Sequence, residues 1–343
     1  MTLRPSPAES NSTLSRFQAR GAKRAGRPRA SRKALFLLVV AAAMLCGVQR
    51  CFAQQSSKAS DSLLDTRGNV YYASAKPYID DSIPKLKKAV HELRGLKPAR
   101  NQQQLPVILG ETGGQLKALV EKLPNLMAQE DVVQFQSEDN GSHAQRLRHK
   151  YNYLILVRQG NGEPTFEERR TGFNGRNIGQ AGLEEGFVVT AGFATIWRFF
   201  LPSVQPESRF RYLGTQQVNK IPTYVVGFAQ RPGWVTFPTY FVVNQTSTPC
   251  LFQGVAWIER SGFRIVRLRT DLLAPRPDFN LQKMSTVVSF GPARIAQVAS
   301  PLWLPVKAEV TAGIGGYFYK NAHHYSRYQL FRTQVRFLPP GKQ

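Results

Sequence analysis

Between residues 151 and 337 apolar side chains recur at every second position, and this period of two limits the fold more than any other feature of the chain. Residues 151–158 (YNYLILVR) read as a strand, Gln159-Gly160-Asn161-Gly162 as the turn after it, and 165–170 as the returning strand. Residues 209–216 and 223–230 form a hairpin around Asn219-Lys220, with Tyr224, Val226 and Phe228 on one face. A second hairpin joins 252–259 to 263–270, and Gly262 is expected to take the left-handed position of its turn. In 283–290 the side chains of Met284, Val288 and Phe290 fall together. In 303–311 Leu304, Val306, Ala308 and Val310 oppose Lys307, Glu309 and Thr311. A last strand is expected at 331–337. Strands joined by such short turns are antiparallel neighbours. One apolar face per strand means that one side of the sheet is covered.

Three short one-sided helices are available as the cover. Asp81-Ser82 before Pro84 is a cap, and Ile83, Leu86, Val90 and Leu93 then share a face until Gly95 and Pro98. A second helix follows Gly113-Gly114, with Leu116, Leu119, Val120 and Leu123, and stops at Pro124. The third, 191–201, carries Phe193, Ile196, Trp197 and Phe200 at i, i+3, i+4 and i+7 and ends at Pro202. Residues 136–148 are polar and charged and read as an exposed loop. The expected fold class is α+β: a mainly antiparallel, curved sheet with a few short helices over its concave face.

The N-terminus obeys different rules. Residues 1–53 hold ten basic side chains and one acid, Glu9. The apolar run 34–48 (ALFLLVVAAAMLCGV) rises only about 22 Å as a helix, short of the ~20 residues that a bilayer core requires. With small residues in Cys51-Phe52-Ala53, this is the layout of a signal peptide cleaved before Gln54. The expected organisation is a signal peptide at 1–53, a polar flexible leader at 54–80 and one α+β domain at 81–343, made of a helical lead at 81–126 and the sheet at 151–337. Removal of 1–53 leaves Cys250 as the only cysteine, so no intramolecular disulfide can form. Nine of the +24 formal charges leave with the signal, and the remaining surplus favours acidic partners. For a chain exported to the periplasm or the outer membrane these are an anionic envelope surface or lipid, not nucleic acid.

Catalytic signatures are missing. The chain has no G-x-S-x-G, no G-x-x-x-x-G-K-[ST] and no H-E-x-x-H. The stretch 313–316 (GIGG) lacks the strand–loop–helix setting of a phosphate loop and reads as a hairpin loop. His323 and His324 would point to opposite faces of a strand, and the other histidines read as exposed loop residues, so no metal site is expected. Glu167-Glu168-Arg169-Arg170 and Glu184-Glu185 read as surface charge. Cys250 follows Pro249 in a turn and has no basic partner that sequence identifies. No cofactor motif is present, and a non-enzymatic protein is the expectation.

The stretch 254–269 (GVAWIERSGFRIVRLR) resembles periplasmic lipoprotein carriers of the LolA type, which have a strand ending in an apolar-Trp-Ile-acid run, a turn, and a strand rich in Arg and Leu. Residues 285–290, Trp303-Leu304-Pro305-Val306 and the hairpin from Tyr212-Leu213-Gly214 to Val225-Val226 are similar to the strands that accompany it. The likeness covers about 205–337. It implies a half-barrel sheet, apolar inside, with helices as a lid over acyl chains or a lipidated protein. The lining would come from Phe193, Trp197, Phe200, Tyr224, Val226, Phe228 and one of Trp257 and Ile258, which alternate faces. Arg209, Arg211, Arg267 and Arg269 would meet anionic head groups at the rim. A structural envelope protein with a filled core, or a hydrolase with dispersed residues, would share the same pattern.

Overall fold

The structure is a computed structural model that describes residues 66–138, 141–158, 164–172, 193–194, 196–236, 239–243 and 246–331. The expected signal peptide, the turn at 159–162, Glu184-Glu185 and residues 332–337 of the expected last strand lie outside them.

The chain forms α1 (Thr66–Ala73), α2 (Ile83–Ala89), β1 (Lys97–Pro98), α3 (Leu105–Lys122), β2 (Leu126–Glu138), β3 (Gln145–Arg158) and β4 (Thr165–Gly172). These are followed by β5 (Ser208–Val218), β6 (Ile221–Gln230), β7 (Thr239–Val243), β8 (Thr246–Cys250), β9 (Phe252–Glu259) and β10 (Ile265–Leu272). The last three strands are β11 (Leu281–Ala293), β12 (Leu302–Ile314) and β13 (Tyr317–Leu330). Eleven strands make one open, curled sheet in the order β1-β5-β6-β9-β10-β11-β12-β13-β2-β3-β4, and β7 and β8 form a separate hairpin. The meander from β5 to β13 returns to the first hairpin, where β13 pairs with β2 from Tyr317↔Glu138 to Leu330↔Leu126. Every pairing is antiparallel, as the short turns require.

Both faces of the central strands are buried. The inner face carries Val226, Phe228, Ala256, Ile258, Leu268, Val288, Ala308 and Val310, packed with Ile108, Leu116 and Val120 of α3. The outer face of β5, β6, β9 and β10 carries Leu213, Val225, Val255, Trp257 and Val266, covered by Leu86, Val90, Leu93 and Leu96. The expectation of a single covered face is therefore corrected. The helical lead divides, with α3 on the inner face and the 83–96 segment on the outer one. A strand buried on both faces loses its alternation, which is why seven of the eight residues of β9 are buried.

Other expectations change locally. Residues 66–80 of the expected leader are ordered: Tyr72 and Ile79 pack with Ala229, Val235, Leu251 and Leu273, and the Leu251 amide donates to the Tyr72 hydroxyl at 3.0 Å. Helix α3 starts eight residues before Gly113 and runs through both glycines. Gly113 is needed for close approach, since a Cβ there would lie 2.9 Å from Gln205 Nε2, 3.0 Å from Pro202 Cγ and 3.2 Å from the Phe200 carbonyl oxygen. In its described residues the loop expected at 136–148 holds the end of β2 and the start of β3. The alternation of β2 as a whole was hidden because its inward positions 130 and 134 are Glu and Gln.

Within the expected helix at 191–201, the described residues form a single 3₁₀ turn, Ile196–Phe200. It buries Trp197, Phe199, Phe200 and the following Leu201. A one-sided α-helix could not bury all four, so the segment plugs into the core and does not lie across it. Strand β13 spans 317–330, a stretch for which the sequence delimits no strand, and the GIGG stretch leads into its hairpin turn, with Gly315 and Gly316 at φ 58° and 82°. Asn219 and Lys220 make the other expected hairpin turn (φ 48° and 68°), whereas at 260–263 the left-handed residue is Phe263 (φ 51°) and not Gly262.

Candidate functional site

The inner face has an aromatic half and a charged half. In the aromatic half the Ile196–Phe200 turn inserts against β5, β6 and β4. Ring centroids lie 4.9 Å apart for Phe199–Phe228, 5.7 Å for Phe200–Phe228, 5.4 Å for Phe200–Phe210 and 5.9 Å for Phe166–Trp197. These are ordinary edge and tilted contacts of a packed aromatic cluster. The segment is held by few polar bonds. Glu168 Oε2 accepts the amides of Phe193 (2.8 Å) and Ala194 (3.1 Å), and Gln205 Nε2 donates to the carbonyls of Phe200 (2.8 Å) and Leu109 (3.0 Å).

Of the eight expected lining residues, Phe193, Trp197, Phe200, Val226, Phe228 and Ile258 are buried in this inner cluster, and Tyr224 packs against it half-buried. Trp257 lies on the outer face, where its Nε1 donates to Gln216 Oε1 at 3.1 Å. The alternation at 257–258 thus resolves in favour of Ile258. The aromatic side chains fill the space between sheet and α3. Two surface clefts, of about 230 and 280 Å³, open elsewhere: one beside Lys97, Arg100 and Tyr212, the other beside Asp271, Met284 and Phe318. None of the eight residues lines either.

The four arginines expected at the rim lie on the outer face, opposite Phe210, Tyr212 and Leu268, because strand neighbours alternate. Arg209, Arg211 and Arg269 fasten the 79–92 segment to the sheet. Arg209 pairs with Asp80, and Arg211 Nη1 donates to the carbonyls of Ile79 (2.6 Å) and Asp81 (2.7 Å). Arg269 bridges Glu92 (3.0 Å) and Asp271 (2.7 Å). Arg267 lies over the Trp257 ring at 5.7 Å, and burial lowers its pKa. Their positive charges are engaged within the protein and do not ring the interior.

The charged half escaped the sequence reading. Glu130 on β2 is fully buried, and four bonds converge on its carboxylate. Arg170 donates from Nε to Oε2 (2.5 Å) and from Nη2 to Oε1 (2.9 Å). The Tyr325 hydroxyl (2.7 Å) and His323 Nδ1 (2.9 Å) also meet Oε1. Burial alone would raise the Glu130 pKa, but Arg170 and His323 outweigh it and bring it down to about 2. Beside that carboxylate His323 is the donor, with its proton on Nδ1, and burial keeps its pKa below 6.5. Phe193 caps the imidazole at 4.9 Å between ring centres. The reading of Arg170 as surface charge is corrected, while His323 and His324 do lie on opposite faces of β13, the first buried and the second exposed. A run such as EERR cannot reveal which of its members faces a sheet interior until the strand's partner is known.

Cys250 is fully buried at the end of β8, and burial pushes its thiol up to about 11, far from a thiolate nucleophile. Among the described residues no group of three His, Cys, Asp or Glu side chains could hold a metal ion, and no helix is long and apolar enough to cross a membrane.

No family model and no curated protein matches the sequence. Among solved structures the chain is similar to a LolA superfamily protein of Nitrosomonas europaea, with 10% identity over 67% of this chain and 94% of that one and a TM-score of 0.31. It is also similar to a DUF1329 family protein of Desulfovibrio piger (10% identity, 66% and 92% covered, TM-score 0.30) and to the Mycobacterium tuberculosis lipoprotein LppX (8%, 65% and 95%, TM-score 0.22). The chain's own strand order and buried faces make it an open, curled antiparallel half-barrel of the α+β class.

Proposed function

We propose that the protein is exported, loses residues 1–53, and binds or carries an amphiphile such as a lipid or the acyl part of a lipidated protein. Its apolar part would take the place of the Trp197, Phe199 and Phe200 side chains on the inner face. One observation carries this reading: among the described residues, the segment that sits with α3 over the aromatic half of the interior is a five-residue 3₁₀ turn with no strand ladder. Such a plug can leave without breaking the sheet. Each ejected aromatic side chain costs about 1.5–3 kcal/mol and each buried methylene returns about 0.8 kcal/mol, so roughly ten methylenes offset three aromatics. A long acyl chain meets that requirement and a short one does not.

A second reading has its own support. In the plugged state the aromatic rings fill the interior, as a purely structural envelope protein requires. Native mass spectrometry of the exported protein separates the two. The carrier reading expects N-terminal sequencing to begin near Gln54, together with an adduct of long-chain amphiphile mass that organic extraction removes and that Trp197→Ala raises at unchanged fold. A protein without adduct, in which Trp197→Ala merely loses stability, is a structural one.

A further inference from the structure

The outer face of the sheet is covered over β5, β6, β9 and β10, but among the described residues no element covers it from β11 to β3. Register fixes what that open half displays. One row runs Lys307↔His324↔Asp131↔Lys150, the next Glu309↔Ala322↔Val133↔Arg148, and the third Thr311↔Lys320↔Phe135↔Arg146. Two of the cations are matched to acids, Lys150 to Asp131 at 3.8 Å and Lys320 to Glu309 at 3.0 Å. Lys283, Lys307, Arg146 and Arg148 are exposed and have no ion-pair partner among the described residues. Between them lie half-buried Val133, Phe135 and Phe318, with the two phenylalanine rings 6.5 Å apart edge-on and Lys283 Nζ 5.8 Å from the Phe318 ring.

From this we infer that the outer face of β11, β12, β13, β2 and β3 is a docking surface for an anionic bilayer. The unmatched cations are spread over a sheet surface and not gathered in a groove. Two-dimensional charge of opposite sign, as a leaflet of anionic head groups presents, can satisfy all of them together. The half-buried phenylalanines add apolar contact area between the cations. The site stands apart from the arginines 209, 211, 267 and 269, whose charges are engaged within the fold. The inference rests on export, but not on the interior carrying an amphiphile, so the two can fail separately.

The test is cosedimentation of the exported protein with vesicles of pure phosphatidylglycerol against vesicles of pure phosphatidylcholine. Binding is expected only to the anionic vesicles and should weaken with salt. Each cation near such a surface contributes about a fivefold gain in partitioning, so Arg146→Gln/Arg148→Gln/Lys307→Gln should lose about a hundredfold. The control Lys117→Gln/Lys122→Gln, on exposed positions of α3 against the other face, should stay within about twofold. All five side chains are exposed, so circular dichroism and thermal midpoint should not move. Equal loss per charge in both variants would show diffuse attraction and overturn the site. So would equal binding to both vesicles, or tighter binding to a free polyanion such as DNA that the triple variant abolishes without changing vesicle binding.

Discussion

Arg170 on the edge strand β4 and Glu130 in the middle of β2 close a two-point ion pair at 2.5 and 2.9 Å, with side chains only 6% and 0% exposed. Through Tyr325 and His323 the same carboxylate also holds β13. The network therefore spans the junction where the last strand of the meander meets the first hairpin. Removing one partner of such a buried pair strands the other charge in a low-dielectric interior. Glu130→Gln should cost about 3–5 kcal/mol in urea unfolding, and Glu130→Leu/Arg170→Met should recover part of that loss. A single variant costing under about 1 kcal/mol would show the junction to be held by other contacts.

Acid should undo the same junction. The Glu130 pKa falls from 4.5 to about 2 on folding, so its contribution is present above 4.5 and lost as pH drops toward 2. The His323 pKa is lowered from 6.5, so its contribution is likewise present above 6.5 and lost as pH falls below it. Both act in one direction. Stability measured by urea midpoint should be flat above neutrality, decline below pH 6.5 and fall most steeply below 4.5. In Glu130→Gln the steep part should shrink, and an unchanged acid limb in that variant would remove Glu130 from the account.

The two adjacent glycines of α3 should respond in opposite ways. Gly114 faces open space, so Gly114→Ala should stabilise by about 0.5–1 kcal/mol through helix propensity. At Gly113 a methyl group would press on Pro202, Gln205 and the Phe200 carbonyl, and Gly113→Ala should destabilise by about 1–3 kcal/mol. Because that contact holds the aromatic plug, the same variant should take up a long-chain amphiphile more readily, as followed by displacement of a fluorescent fatty acid.

How much of this was legible in the sequence depended on how many faces of each strand are buried and with what. Strands with one apolar face, such as 303–311, announced themselves. So did the Asn219-Lys220 turn, whose two left-handed residues suit a tight hairpin. Strand β2 did not, because its inward row includes Glu130 and Gln134, and a polar residue facing a core looks the same in sequence as one facing water. Phe193, Trp197, Phe200 and Phe228 are all buried in the inner cluster, although the helical period that grouped the first three gives way to a single 3₁₀ turn. The Glu130–Arg170–His323 network joins strands 40 to 193 residues apart, and no local period encodes that. The arginines were misplaced for the complementary reason: their spacing was read correctly, but the outer face was taken to be bare.

The central claim is that an acyl chain displaces the aromatic plug, and the tryptophans allow it to be tested directly. Trp197 lies in the inner cluster, Trp257 in the outer one, and Trp303 donates from Nε1 to the Ile265 carbonyl at 2.7 Å, away from the plug. A tryptophan that leaves an apolar interior for water emits at longer wavelength. Titration with a stearoyl amphiphile should red-shift part of the wild-type emission, and that shift should vanish in Trp197→Phe at unchanged fold. Saturation without a red shift, or the same shift in both proteins, would mean that the plug stays in place and that the carrier account is wrong.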